Sequence, residues 1–149
     1  MQEWVIHKDE HVRRLVSEGL RPRLPWGIQL KKFIENPQPI LPFLEKLKLD
    51  SSLYVRRSVA NNLNDITKDH PLIAIQVCES WKSSKNLNKS QQDNIHWLVK
   101  HAMRSLIKAG NPQVFPLLGY TNKPEIKIEK LEAAKKNIHI GDELSLIHI

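Results

Sequence analysis

Between His11 and Trp26 the chain reads HVRRLVSEGLRPRLPW, which sets one carboxylate, Glu18, among Arg13, Arg14, Arg21 and Arg23, with Trp26 close behind. A carboxylate held in place can stabilise a developing positive charge and hydrogen-bond a water nucleophile. The stretch begins as a helix, so Arg14 and Glu18 fall one turn apart on one face. Arg21-Pro22 ends that helix. Proline lacks a backbone donor and restricts its predecessor, so RPRLP is a stiff loop that presents Arg21 and Arg23 beside the helix end. A helix that only packs has no need of this combination.

The whole chain of 149 residues is one ordinary domain, or one domain and a piece of another, and is long enough to bury a core. Its formal net charge of +7 and isoelectric point near 9.6 favour an anionic partner. Cys78 is the one cysteine, which excludes an internal disulfide framework and suits a reducing compartment. No apolar run reaches the roughly 20 residues of a membrane span, and the start is too polar for a signal peptide. The expectation is a soluble, cytoplasmic, monomeric protein with no membrane association. The histidines lack metal-ligand spacing: His7 and His11 stand at i, i+4 with no HExxH pattern around them, so neither a metal nor another cofactor is expected. Nor is there a Gly-rich phosphate loop or a Ser/His/Asp grouping.

The elements that must hold the stretch show an internal repeat. Val12-Arg13-Arg14 returns as Val55-Arg56-Arg57 and, degraded, as Val99-Lys100-His101, a period of about 43 to 44 residues. That period fits HEAT-like helix pairs stacked in about three repeats, an all-α solenoid. Gly27 to Glu35 reads as a short helix, Asn36 to Pro42 as a corner, and Leu41 to Leu49 as another apolar run. A helix restarts at Pro71 and runs to about Trp81, Ser83 to Gln92 is a loop, and Asn111-Pro112 opens a last helix that fades near Gly119. Helix periodicity turns Val12, Leu15 and Val16 inward against Arg14 and Glu18. It likewise turns Val55, Val59 and Ile66 away from Arg57, Asn61 and Asp65, and Leu98, Ala102 and Leu106 away from His96, Lys100, Arg104 and Lys108. Stacked repeats would align these polar faces on one concave wall.

From Glu125 the pattern changes to alternation, with Ile126 and Ile128, Ile138 and Ile140, then Leu144 and Leu146 around a Gly141-Asp142 turn. These positions read as opening strands of a β domain, a fragmentary extension too short to close a sheet. The first repeat also lacks its partner helix, so the sequence reads as cut at both ends.

EGLRPRLPWG (Glu18 to Gly27), PILPFLEKLKLD (Pro39 to Asp50) and YVRRSVANNLNDITKDHP (Tyr54 to Pro71), in that order, resemble the HEAT-like-repeat alkylpurine DNA glycosylases of the AlkC/AlkD class, closest to the AlkC branch. The resemblance covers roughly Trp4 to Tyr120. It implies residues 1–122 as a glycosylase repeat domain lacking upstream repeats, and 123–149 as the start of an incomplete immunoglobulin-like domain. It also implies hydrolysis of the N-glycosidic bond of cationic alkylated purines such as 3-methyladenine, in double-stranded DNA, without metal or cofactor, the base staying stacked rather than flipped.

On that resemblance Glu18 is the catalytic carboxylate and Asp65 a second acidic candidate. Trp26 lies against the deoxyribose or backbone at the lesion, Arg21 and Arg23 flank it on the loop, Arg14 and Arg57 hold phosphates, and Lys100 and Arg104 track the strand. Each residue has a structural alternative. Glu18 is the i+4 partner of Arg14, Asp65 is placed to pair with an arginine of a neighbouring helix or to cap at Thr67, Asn61 and Asn62 suit hydrogen bonds between repeats, and Trp26 suits packing under the loop. Trp4, Trp81 and Trp97 read as core. Two other functions remain open: an inactive or truncated repeat protein that binds DNA without chemistry, and a scaffold for another protein. The second expects an apolar groove where the faces read as cationic.

Overall fold

The computed structural model describes residues 1–121, with 125, 131–133, 137, 139 and 146–148. A 3-10 turn at Trp4–Ile6 leads into α1 (Glu10–Gly19). There follow α2 (Lys31–Glu35), α3 (Leu41–Leu47), α4 (Leu53–Ile66), α5 (Pro71–Lys82), α6 (Lys89–Ala102), α7 (Arg104–Lys108) and α8 (Val114–Leu117). Two three-residue strands, β1 (Leu131–Ala133) and β2 (Leu146–His148), pair antiparallel with Leu131 opposite His148. The rest of the alternating tail, including Ile126, Ile128, Ile138, Ile140, Leu144 and the Gly141-Asp142 turn, lies outside the described residues.

Each boundary has a local cause. The Asp9 side chain accepts the His11 amide at 2.8 Å and starts α1. Pro71 needs no amide partner in the first turn of α5. Asn88 and Gln91 form a reciprocal capping box at the start of α6. Met103 ends α6, so the basic ridge read as one helix from His96 to Lys108 is divided between α6 and α7.

The central element is α4, which packs on α1 along one side and on α6 along the other. Val55, Val59, Leu63 and Ile66 form its apolar stripe and are buried with Val16, Leu44, Leu98 and Trp81 in one continuous core. Leu15, expected inside, is exposed: α1 reaches α4 through Val16 and Ser17, and Leu15 lies on its outer side. Trp81 is core as expected, Trp97 is half-buried against it, and Trp4 is exposed. Among the described residues no helix is long and apolar enough to cross a membrane.

The ANNLND run explains how α4 holds both neighbours. The last carbonyls of a helix have no partner within it. Asn62 Nδ2 donates to the Ser17 carbonyl of α1 at 2.8 Å, and Asn64 Nδ2 donates to the Ala102 carbonyl of α6 at 2.8 Å. Asn61 accepts from Arg104 and contacts the His101 ring nitrogen, both at 3.2 Å. Asn62 and Asn64 thus sacrifice helix propensity to satisfy the end carbonyls of two other helices. Asn64→Ala leaves the buried end of α6 without its donor and should lower stability by about 1–3 kcal/mol. Urea denaturation measures it; an unchanged midpoint would show that water replaces the amide at no cost.

Candidate active site

Glu18 stands in the last turn of α1 with its side chain 18% exposed. Oε1 accepts from Arg21 Nη1 at 2.7 Å, and Oε2 accepts from the Ser58 hydroxyl at 2.8 Å with Arg14 Nη2 at 3.3 Å. Burial pushes its pKa up. The hydrogen bonds from Ser58 and Arg21, with the charges of Arg21 and Arg14, outweigh that and hold it below the usual carboxylate value. Glu18 is therefore ionised at neutral pH.

Arg21 does not project from the loop as its spacing suggests. It is 7% exposed, and while Nη1 holds Glu18, Nε donates to Asp65 Oδ2 at 2.8 Å. Burial works against its charge, but the hydrogen bonds and charges of Asp65 and Glu18 raise its pKa further than burial lowers it. Arg23 is also turned back, chelating Asp69 in the turn after α4 through Nε at 2.9 Å and Nη2 at 2.7 Å. Arg21 is spent on two carboxylates, while Arg23, its side chain 31% exposed, is paired with one. Arg21 pins the RPRLP loop to α4, and Arg23 pins it to the turn that follows.

Asp65 is 2% exposed, with Oδ2 on Arg21 and Oδ1 3.2 Å from Lys68 Nζ. Its geometry is that of an anchor for Arg21: a carboxylate so covered offers no face to a reacting atom. Of the alternatives for Asp65, the structure shows pairing with an arginine. The cap at Thr67 goes elsewhere, since that hydroxyl donates to the Asn64 carbonyl at 2.7 Å.

The loop ends in a tight turn in which the Gly27 amide donates to the Leu24 carbonyl at 3.2 Å. Pro25 presets its second position, and Trp26 takes the third with φ +60°, a left-handed conformation rare for a bulky residue. A Cβ at position 27 would approach Leu24 Cδ2 to 3.0 Å, so a side chain there would need Leu24 to shift. Trp26 is fully exposed, which rules out packing under the loop. Such strain costs about 1–3 kcal/mol, and it displays an indole to solvent.

Arg14 lies 4.4 Å over the Tyr54 ring, with His11 set edge-on to the same ring. On the far side of α4, Trp97 and His101 stack 5.2 Å apart and line an open groove with Lys100, Arg104, Ile107 and Lys108. Burial, then the charges of Arg104 and Arg57, depress the His101 pKa and keep its ring neutral. Arg57, Lys100, Arg104 and Lys108 form no salt bridge among the described residues, whereas Arg13, Arg14, Arg21 and Arg23 all do. The sequence reading missed Ser58 and Tyr54; each stands beside a residue of the VRR repeat, which is the signal that singles them out.

Removing one partner of a buried charge pair strands the other. Arg21→Met should cost about 3–5 kcal/mol, and adding Asp65→Leu should recover part of it. Denaturant titration of the two single variants and the double variant measures the coupling; strict additivity would mean that the pair contributes nothing.

No family model matches the chain. It is 48% identical over 141 residues to the uncharacterized protein YhaZ of Bacillus subtilis, an alignment covering 95% of this chain and 38% of that protein. Among solved structures it is similar to the Pseudomonas fluorescens alkylpurine DNA glycosylase AlkC bound to DNA containing an abasic site analog. The TM-score is 0.83 and the identity 46%, over 97% of this chain and 38% of that one. The chain thus spans well under half the length of the proteins it matches. Over the segment that it spans, this chain is related by both fold and sequence to the AlkC alkylpurine DNA glycosylases.

Proposed function

We propose that this chain carries the lesion-facing part of a DNA glycosylase that hydrolyses the N-glycosidic bond of cationic alkylated purines, 3-methyladenine-like, in duplex DNA without base flipping. The observation that supports this most is an ionised, immobilised Glu18 beside a loop that displays Trp26 in a strained conformation. Alkylation already places a positive charge on the purine, so the departing base takes the bonding electron pair without needing a proton. The burden falls on the oxocarbenium-like sugar, which a fixed anion stabilises, and on the water that attacks it. Trp26 would lie against the sugar or backbone, where a flat ring excludes water and favours a developing cation. These steps call for neither metal nor organic cofactor.

Duplex DNA then follows the unpaired cations. Arg57, Lys100 and Arg104 hold phosphates beyond the lesion, and Arg14, loosely held and one-third exposed, is available to one beside it. Arg21, Arg23 and Asp65 support the site from behind. In this reading residues 1–122 form about three HEAT-like repeats, 123–149 begin an immunoglobulin-like β domain, and the protein works as a monomer in the cytoplasm. A second reading, a repeat protein that binds DNA without chemistry, draws on the two arginines that already counter the charge of Glu18.

Glu18→Gln separates the two. Release of methylated purine from alkylated duplex DNA by this chain should fall at least roughly a hundredfold, with duplex affinity changed no more than severalfold. Salt-sensitive binding with no release by the unmutated chain would establish the second reading instead.

A further inference from the structure

A carboxylate offers about four acceptor positions; on Glu18 hydrogen bonds from two different parts of the fold fill two of them, and a further cation stands in ion-pair contact. Arg14 comes from its own helix, Arg21 from the following loop, and Ser58 from α4. The three contacts are not equivalent. Each arginine orients the carboxylate but also cancels its charge, while a hydroxyl orients it and leaves the charge in place. Ser58 is 2% exposed and has one proton to give, which it places on Glu18 Oε2 at 2.8 Å. Its own oxygen lies 2.8 Å from the fully buried Ser17 hydroxyl, so α1 and α4 fix its rotamer between them. Arg14, an ion-pair contact at 3.3 Å and 32% exposed, is the partner most easily drawn away by a phosphate.

We propose that Ser58 is a positioning residue for Glu18, fixing the carboxylate against α4 so that it keeps its orientation, with acceptor capacity left for a water, when DNA recruits Arg14. The inference rests on the reading of Glu18 as the reacting carboxylate. Because Ser58 touches neither DNA nor the reacting atoms, its loss acts on rate and not on DNA affinity.

The test is single-turnover release of methylated purine from alkylated duplex DNA by the unmutated chain, Ser58→Ala and Ser58→Thr, with thermal midpoints recorded for each. Ser58→Ala should slow release roughly ten- to a hundredfold, the cost of a small misplacement of a reacting group, while the half-saturating DNA concentration stays within about twofold. Ser58→Thr keeps the hydroxyl and should recover most of the rate. An unchanged rate in Ser58→Ala, or a loss confined to half-saturation, would overturn the proposal. A carboxyl NMR titration of Glu18 in the free chain is the second arm. Ser58→Ala should raise its midpoint by removing a donor to the ionised form, and an unchanged midpoint would overturn the positioning contact whether or not the chain releases a base. If the unmutated chain releases none, the glycosylase reading fails, and the titration alone decides Ser58.

Discussion

The structure depends on one guanidinium buried between two carboxylates. Arg21 is 7% exposed and donates at once to Glu18 on α1 and Asp65 on α4. Burying a charge costs several kcal/mol, and only well-aligned opposite charges and filled hydrogen-bonding positions offset it. A planar fork meets two carboxylates in different directions, whereas a lysine offers one compact point of charge. Because the bridge spans the helix–loop–helix junction, it fixes the exit of α1, the path of RPRLP and the orientation of Glu18 together. The Arg23–Asp69 chelate repeats the device one turn further along, and the strained Trp26 turn is held out beyond both.

This bridge sorts the arginines into two populations. Those near the first VRR motif neutralise acids of the same fold: Arg13 on Asp50, Arg14 on Glu18, Arg21 on Glu18 and Asp65, Arg23 on Asp69. In the second motif Arg56 is buried on the carbonyls of Asp50 and Ser51, and its charge helps to lower the Asp50 pKa. Arg57, Lys100, Arg104 and Lys108 form no salt bridge among the described residues, Arg104 feeling the charges of Asp65 and Arg21 only at a distance, and Lys100, Arg104 and Lys108 line a groove with Trp97 and Ile107. Positive charge left uncompensated beside an aromatic floor is the pattern of a surface that receives an anionic polymer. The acids sit where the chemistry is proposed, and the free cations lie where a strand would continue.

Much of this was legible in the residues. The repeat of VRR at about 43 to 44 residues gave the stacking, and i, i+4 spacing gave the Arg14–Glu18 pair and the inward faces of α4 and α6. The asparagines of ANNLND, poor formers inside a helix, do bridge helices. What periodicity does not encode is which way a side chain turns once it leaves a helix. Arg21 and Arg23 find partners more than 40 positions away in sequence, so a stiff proline loop read alone suggests display where the fold imposes pairing. For the same reason Asp65, on the polar face by spacing, is covered: its face meets the loop rather than solvent. Leu15 is the converse, an apolar residue on the rim of an amphipathic stripe that no neighbour covers.

The division between paired and unpaired cations can be measured directly as the salt dependence of affinity for duplex DNA. Each phosphate neutralised contributes about −0.9 to the slope of log affinity against log salt. Arg57→Ala and Lys100→Ala should each flatten that slope by about one, while Arg23→Ala, whose charge is spent on Asp69, should leave it unchanged in a chain that still folds. A slope that drops for Arg23→Ala and holds for Arg57→Ala and Lys100→Ala would contradict the assignment and move the DNA to the proline loop.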